Sequence, residues 1–305
     1  MKQLEKLTGQ AAFAEETLAG ALLTKEAMSE PKIGLALGGG GARGLAHIPM
    51  LEVFDELGIK PAIIAGCSMG ALVGAAYACG MTAKDMRLQA EKILGNRMGA
   101  ARYVFGTRGS KIRDIVSLRG LMSLHLHGEK LVDLALPDSL VQNIEETQIL
   151  LRIIATDFER MEERVLSKGS IVQAVAASIA IPGLIVGPRI EGNIHVDGGV
   201  TNPVPFDHVR EGVDIVVAID VTGRPRPSRR RHHSNMELAV GSMLIMFHQI
   251  AQLRRAMNPP DIYIEPPVGG FGAIEFFRAE ELMKVASEAK DELKRALELR
   301  IKKIA

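Results

Sequence analysis

Cysteine is scarce in this 305-residue sequence: Cys67 and Cys79 are the only two, and they flank one short apolar segment. Two cysteines in that placement make neither a disulfide framework nor a zinc site, and they point to a reducing compartment, the cytoplasm. An excess of charge of either sign is also missing. Lys and Arg number 37 against 36 Asp and Glu, for a net charge of +1, which removes the case for whole-surface attraction to nucleic acid. The first residues, "MKQLEKLTGQAAFAEETLAG", intersperse acids with apolar residues and lack the continuous apolar stretch of a secretory signal. No charge occurs between Lys60 and Lys84, yet Gly66, Gly70, Gly74 and Gly80 interrupt that stretch. A buried strand turning into a buried helix accounts for it better than a membrane span. No internal repeat is present.

What is present is a chain of 47% hydrophobic and 24% charged residues, enough for one large or two medium domains with a sizeable core. Residues 1–30 read as an N-terminal extension that ends near Pro31, and residues 31–305 as one domain. "KIGLAL", "PAIIAG", "QILLRIIATDF", "DIVVAIDV" and "DIYIEP" read as buried strands. Helical spacing spans Ala42 to Leu57, where Pro49 is expected to kink the helix or delay its regular start. "GALVGAAYACG" reads as a helix whose Gly70 and Gly74 press it closely onto a sheet. Thr82 with Asp85 caps the next helix, which runs to about Leu94. Residues 95–147 carry little pattern. "ERMEERVLSKG" continues the preceding strand into a hairpin, and "SIVQAVAASIAIPGL" is a helix stopped by Pro182. Leu282, Ala286, Ala289 and Leu293 lie on one face of a long C-terminal helix. Strands alternating with helices imply an α/β fold with a mostly parallel sheet.

The glycine run "GGGGARG" at 38–44 follows the first strand. It is not a phosphate-binding P-loop, because Arg43-Gly44-Leu45 stands where that motif needs Lys then Ser or Thr. Residues 39–44 match G-x-G-x-x-G, but a dinucleotide site also wants an acid at the end of the second strand. That strand ends instead in "GCSMG". Ser68, between Gly66 and Gly70, has the setting of a nucleophile elbow, in which a tight strand-to-helix turn exposes the hydroxyl. The free amides of the glycine loop are candidate donors to the oxyanion formed when such a serine attacks a carbonyl. The eight histidines, among them His195, His208 and His248, have no distinctive setting. Asp197 does, in "HVDGGVTNPVP".

"GGGGARG", "GCSMG", "AASIAIPGL" and "VDGGVTNPVP", in that order, resemble the patatin-like phospholipase family, over about residues 31–300 and most closely its bacterial stand-alone members. The resemblance implies a three-layer α/β/α domain with a mostly parallel central sheet. It implies a nucleophile at Ser68, its dyad base at Asp197, and an oxyanion loop at Gly39, Gly40 and Gly41. Arg43 and Gly44 complete that loop, and Gly66, Gly70, Gly198 and Gly199 support the two turns. Pro49 departs from many relatives, which carry a small residue there. The implied function is a serine acyl hydrolase cleaving carboxylic esters of lipids, with no metal and no organic cofactor. An acyltransferase or thioesterase using the same intermediate, and a non-catalytic module retaining the fold, are the alternatives. Arg43 is expected to brace the loop and Cys67 to be buried filler. The arginine-rich loop at 223–233 is a candidate contact with anionic lipid at the inner membrane face. A triad would need a base among His208, His232, His233 and His248.

Overall fold

The computed structural model describes residues 31–94, 126–137, 140–223 and 235–304, with the backbone alone at 126–127 and 235–237. The N-terminal extension and the basic loop at 224–233 lie outside the described residues, as do His232, His233 and most of the poorly patterned segment.

Ten strands and eight α-helices occur among the described residues. The strands are β1 (Ile33–Leu37), β2 (Ile63–Cys67), β3 (Leu126–His127), β4 (Leu150–Asp157), β5 (Glu162–Leu166), β6 (Ile185–Val186), β7 (Arg189–Ile190), β8 (Asn193–Asp197), β9 (Ile215–Ile219) and β10 (Ile262–Ile264). The helices are α1 (His47–Leu57), α2 (Met69–Ala78), α3 (Ala83–Leu94), α4 (Gly128–Ala135), α5 (Ile171–Ser178), α6 (Asn235–Met257), α7 (Ala279–Ala286) and α8 (Lys290–Ile304). Eight strands form one sheet in the order β10-β9-β1-β2-β4-β8-β7, with β5 on β4; β3 and β6 make a separate parallel pair. The pairs β10–β9, β9–β1, β1–β2 and β2–β4 are parallel, whereas β5, β7 and β8 join antiparallel.

Continuous apolar runs form the central strands because both faces of the sheet are covered. On β1, Ile33, Leu35 and Leu37 join the core shared with α1, α2, α3, α7 and α8; Ala36 faces the other way, toward Phe206, Val209 and Ala251 of α6. The same alternation separates Ile215, Val217 and Ile219 from Val216 and Ala218 on β9. Gly70 and Gly74 bring α2 onto the sheet as expected: a Cβ at Gly70 would overlap the Leu37 carbonyl, and one at Gly74 would lie 3.1 Å from the Ile64 side chain.

Pro49 delays the helix rather than kinking it. A 3₁₀ turn occupies Gly41–Ala46 before α1 begins, and Pro49 is the third helical residue, where its missing N–H has no intrahelical partner to lose. The Thr82 hydroxyl accepts the Asp85 amide at 3.1 Å and donates to the Asp85 carboxylate at 2.7 Å, capping α3. The expected long C-terminal helix is two helices, α7 and α8, joined by a 3₁₀ turn at Ser287–Ala289. At that break the Ser287 hydroxyl donates to the Met283 carbonyl at 2.8 Å, a back-bond that bends helices. None of the helices among the described residues is long and apolar enough to cross a membrane.

Candidate active site

Three chain reversals meet where the parallel strands end at their C-terminal edge. The strand register brings the first two together. Residues 153–157 of β4 pair with β5 along one edge, so β2 and β8 must share the other. There β2 stops at Cys67, opposite Ile154, and β8 arrives from the opposite direction and stops at Asp197, opposite Ala155. The two strand ends therefore face each other along a single line. The residue that follows Cys67 is Ser68.

Ser68 adopts φ 52° and ψ −122°, a conformation that side chains resist. The surroundings hold it there. Its amide donates to the Ser178 hydroxyl at 2.7 Å, and that hydroxyl donates to the Ile154 carbonyl at 2.5 Å, tying the turn to the end of α5 and to β4. Its carbonyl accepts the amides of Ala71 and Leu72, which starts α2. Neither flank tolerates a side chain: a Cβ at Gly66 would come within 2.6 Å of the Ala71 backbone, and Gly70 lies against Leu37. The passage from β2 into α2 is thus a tight, strained strand-to-helix turn.

The Ser68 hydroxyl donates to Oδ2 of Asp197 at 2.7 Å. Oδ1 of the same carboxylate accepts the Gly199 amide at 2.8 Å, so both oxygens are occupied and the plane of the group is fixed. Gly198 lies flush on the Ile154 carbonyl and Gly199 on the Phe247 ring, which leaves no room for side chains in this turn. The Asp197 backbone carbonyl accepts the Thr156 hydroxyl at 3.1 Å. Asp197 is buried, and no cation among the described residues bonds to it. Burial pushes its pKa up to about 6, against the opposing hydrogen bonds from Ser68 and Gly199.

The glycine loop supplies the third reversal. Peptide units are planar and trans, so fixing a carbonyl also fixes the N–H on its far side. His47 Nε2 donates to the Gly38 carbonyl at 2.7 Å, and the Gly39 amide of that same unit donates to the Pro203 carbonyl at 2.8 Å. Arg43 Nε donates to the Gly40 carbonyl at 3.4 Å, which turns the Gly41 amide the opposite way. Of the three glycines expected to offer amides, Gly39 is thus committed to Pro203, while those of Gly40 and Gly41 bond to no acceptor among the described residues. Gly39 lies against Ser68, where a Cβ would sit 3.1 Å from the serine Cβ. Gly41 needs its φ of 59°, and Gly44 fits flat against Met69.

Two buried bases underpin this loop. Burial lowers the His47 pKa to about 4, against the Gly38 bond and the charge of Asp220, so the ring is neutral and acts as a donor through Nε2. Burial likewise lowers Arg43 to about 10, opposed by Asp220, and leaves it charged at neutral pH. Asp220 itself accepts the Tyr263 hydroxyl at 2.6 Å and the Thr222 amide at 2.7 Å. His47 and Ser178 were not singled out by the sequence. Their partners are backbone groups, Gly38 for His47 and Ser68 and Ile154 for Ser178, and no hydrophobic periodicity signals such contacts.

The remaining candidates lie apart from the serine. His195 is buried on β8 and meets the Asn193 carbonyl at 3.1 Å through Nδ1, with no bond to Asp197. His208 bonds to Glu163, and His248 meets the Thr222 hydroxyl at 3.1 Å. Cys67 is buried; burial, then the charges of Asp197 and Glu163, push its thiol well above the ordinary range, which suits filler rather than a nucleophile. Glu163, Asp207 and His208 stand close enough to hold a metal ion. Their carboxylates are already taken by N–H donors, however: Arg254 reaches both, as does the Asn202 amide, and His208 closes on Glu163. An ion would have to displace a guanidinium.

The patatin-like phospholipase family model matches residues 35–210, which span all three reversals. A lysophospholipase of Aspergillus fumigatus is 28% identical over 279 residues, covering 83% of this chain and 17% of its own length. An uncharacterised NTE-family protein of Mycobacterium bovis is 32% identical over 206 residues, or 67% of this chain and 53% of that protein. The chain thus spans well under two thirds of the relatives it matches. The solved structure of VipD from Legionella pneumophila aligns with 88% of this chain and 67% of that one, at 17% identity and a TM-score of 0.44.

Proposed function

The chain belongs to the patatin-like phospholipase family, and from that premise we propose that it is a serine acyl hydrolase that cleaves carboxylic esters of lipids through Ser68 and Asp197. The observation that carries this reading is the 2.7 Å bond from a serine in a strained elbow to a buried carboxylate that meets no cation among the described residues. A carboxylate in water is a poor base for a hydroxyl. Desolvation makes it a better one, and at about 6 Asp197 is still ionised at neutral pH.

In the first half-reaction Ser68 Oγ attacks the ester carbonyl while Asp197 Oδ2 takes the hydroxyl proton. Negative charge develops on the carbonyl oxygen. The open amides of Gly40 and Gly41 and the N-terminal end of α2 suit that charge, and the loop is already oriented by His47 and Arg43. Collapse of the tetrahedral intermediate expels the alcohol, which leaves with the proton from Asp197, and an acyl group remains on Ser68. Water then attacks that acyl carbon and gives a proton to Asp197. The acid departs, and the proton returns to Ser68 Oγ.

A lysophospholipid is the first substrate to try, because the fungal relative bears the name of a lysophospholipase. Residues 31–305 would form the single catalytic domain, preceded by the extension at 1–30. The test is incubation of the whole chain with a panel of phospholipids and lysophospholipids, with products read by mass spectrometry, alongside labelling by a fluorophosphonate. Free fatty acid and a labelled Ser68 are the expected results. A folded protein that releases no acid and takes up no label overturns the proposal.

A further inference from the structure

The face of α2 turned away from the sheet lines an apolar cavity. Met69, Leu72, Val73 and Ala76 form that wall, at the i, i+3, i+4, i+7 spacing of one helix face, while Gly70 and Gly74 press the opposite face onto the strands. Leu45, next to the glycine loop, closes one end, and Ala90 of α3 stands in the wall opposite α2. Gln89 is the one polar residue among the described residues that line the space, which amounts to about 70 Å³ and opens at a mouth.

One end of this cavity is tied to the reacting groups by the chain itself. Met69 immediately follows Ser68, Leu45 immediately follows Gly44, and Gly44 fits flat against Met69 with no space for a Cβ. From Met69 to Ala76 the wall extends about 10 Å along the helix at 1.5 Å per residue. We infer that this cavity receives the acyl chain of the ester, with the carbonyl at Ser68 and the chain running along α2 toward Ala76. The inference rests on the hydrolase reading above and gives it a substrate preference. The described lining, with no cation or anion, offers nothing to a polar headgroup, so the alcohol half of the ester stays outside. Each methylene that enters the cavity strengthens binding by about fourfold.

The test is kcat/KM for p-nitrophenyl esters of increasing acyl length, from acetate upward, each kept below its micellar concentration. The expected ladder rises about fourfold per methylene and levels off once the chain has filled the length of the cavity. Ala76→Phe, which fills the far end, should move that plateau to shorter chains and lower the ratio of the longest to the shortest ester by at least about 16-fold, the worth of two methylenes at fourfold each. Ala90→Phe, in the wall opposite α2, provides a second variant should the first fail to fold. A flat ladder in the wild-type protein overturns the inference, and so does a ladder unchanged in a folded variant of either kind. Acetate turnover with fluorophosphonate labelling of Ser68 alongside a flat ladder would remove the acyl cavity and leave the hydrolase intact. Absence of both turnover and labelling would remove the two together.

Discussion

Asp197 and Glu163 flank the same stretch of β4 on opposite edges, Asp197 paired with Ala155 and Glu163 with Thr156. Asp197 is buried and Glu163 partly so, and the partners of the two carboxylates differ in charge. Asp197 receives two neutral donors, the Ser68 hydroxyl and the Gly199 amide, and burial carries its pKa up to about 6. Burial acts on Glu163 in the same direction, but hydrogen bonds from His208 and Asn202 and the charge of Arg254 outweigh it and hold that carboxyl below its ordinary value. A carboxylate saturated with cations is a brace. One buried without them keeps its appetite for a proton, and it is the one that the chain places against a serine.

The largest way to break this contrast is Ser68→Ala. Loss of a nucleophile costs on the order of 10⁶ in kcat, so ester hydrolysis and fluorophosphonate labelling should both vanish while thermal unfolding stays cooperative. Labelling at the wild-type rate would place the nucleophile elsewhere. Gly40→Ala is expected to cost about 10²–10³ in kcat, the scale of one lost oxyanion donor, because a Cβ there would overlap the Val221 carbonyl and displace the loop. Rates within twofold of wild type would dissociate the loop from the transition state.

Stability should separate the two carboxylates by sign. The folded-state pKa of Asp197 lies above the unfolded value of 3.8, so its favourable contribution is complete below that value and lost as pH rises through about 6. Above pH 6 its buried charge opposes folding, and Asp197→Asn should stabilise the protein at pH 8 by up to about 3 kcal/mol. Glu163 has a depressed pKa and stabilises the fold above its unfolded value. Glu163→Gln should therefore destabilise at pH 8, by about 1–3 kcal/mol, because it weakens the bonds from His208 and Arg254. Chemical denaturation at pH 8 and pH 5 reads both, and equal signs at pH 8 would dissolve the comparison. The smallest expected effect is at His47. Replacement by Leu removes the donor to the Gly38 carbonyl and should lower kcat by about tenfold, the worth of one buried hydrogen bond. Replacement by Gln, which can donate from a similar position, should recover most of it with KM unchanged.

How far the sequence foretold this arrangement depends on where each partner lies in the chain. The elbow was legible because everything it needs is contiguous in the chain: glycines on both sides of Ser68, a buried strand before and a small-residue helix after. Asp197 stood out locally only as an acid before two glycines. Its place beside Ser68 depends on β8 meeting β4 antiparallel just where β2 ends, a register that no window of sequence contains. Ser178, 110 residues from Ser68, and the neutral His47 beneath the glycine loop owe their roles to backbone partners that periodicity does not reveal. The break at Ser287 escaped notice because the apolar stripe continues across it in register, through Ala286, Ala289 and Leu293.

The account stands on Asp197 being the base for Ser68, and the rate of fluorophosphonate labelling between pH 4 and 9, compared in the wild-type protein and Asp197→Asn, tests that most directly. In the wild type, labelling should be level at high pH and fall tenfold per unit below about pH 6, as the carboxylate protonates. In the Asn variant it should be slow throughout and show no inflection there. A folded Asn variant that labels at the wild-type rate, or that keeps the same inflection, would mean that another group takes the serine proton.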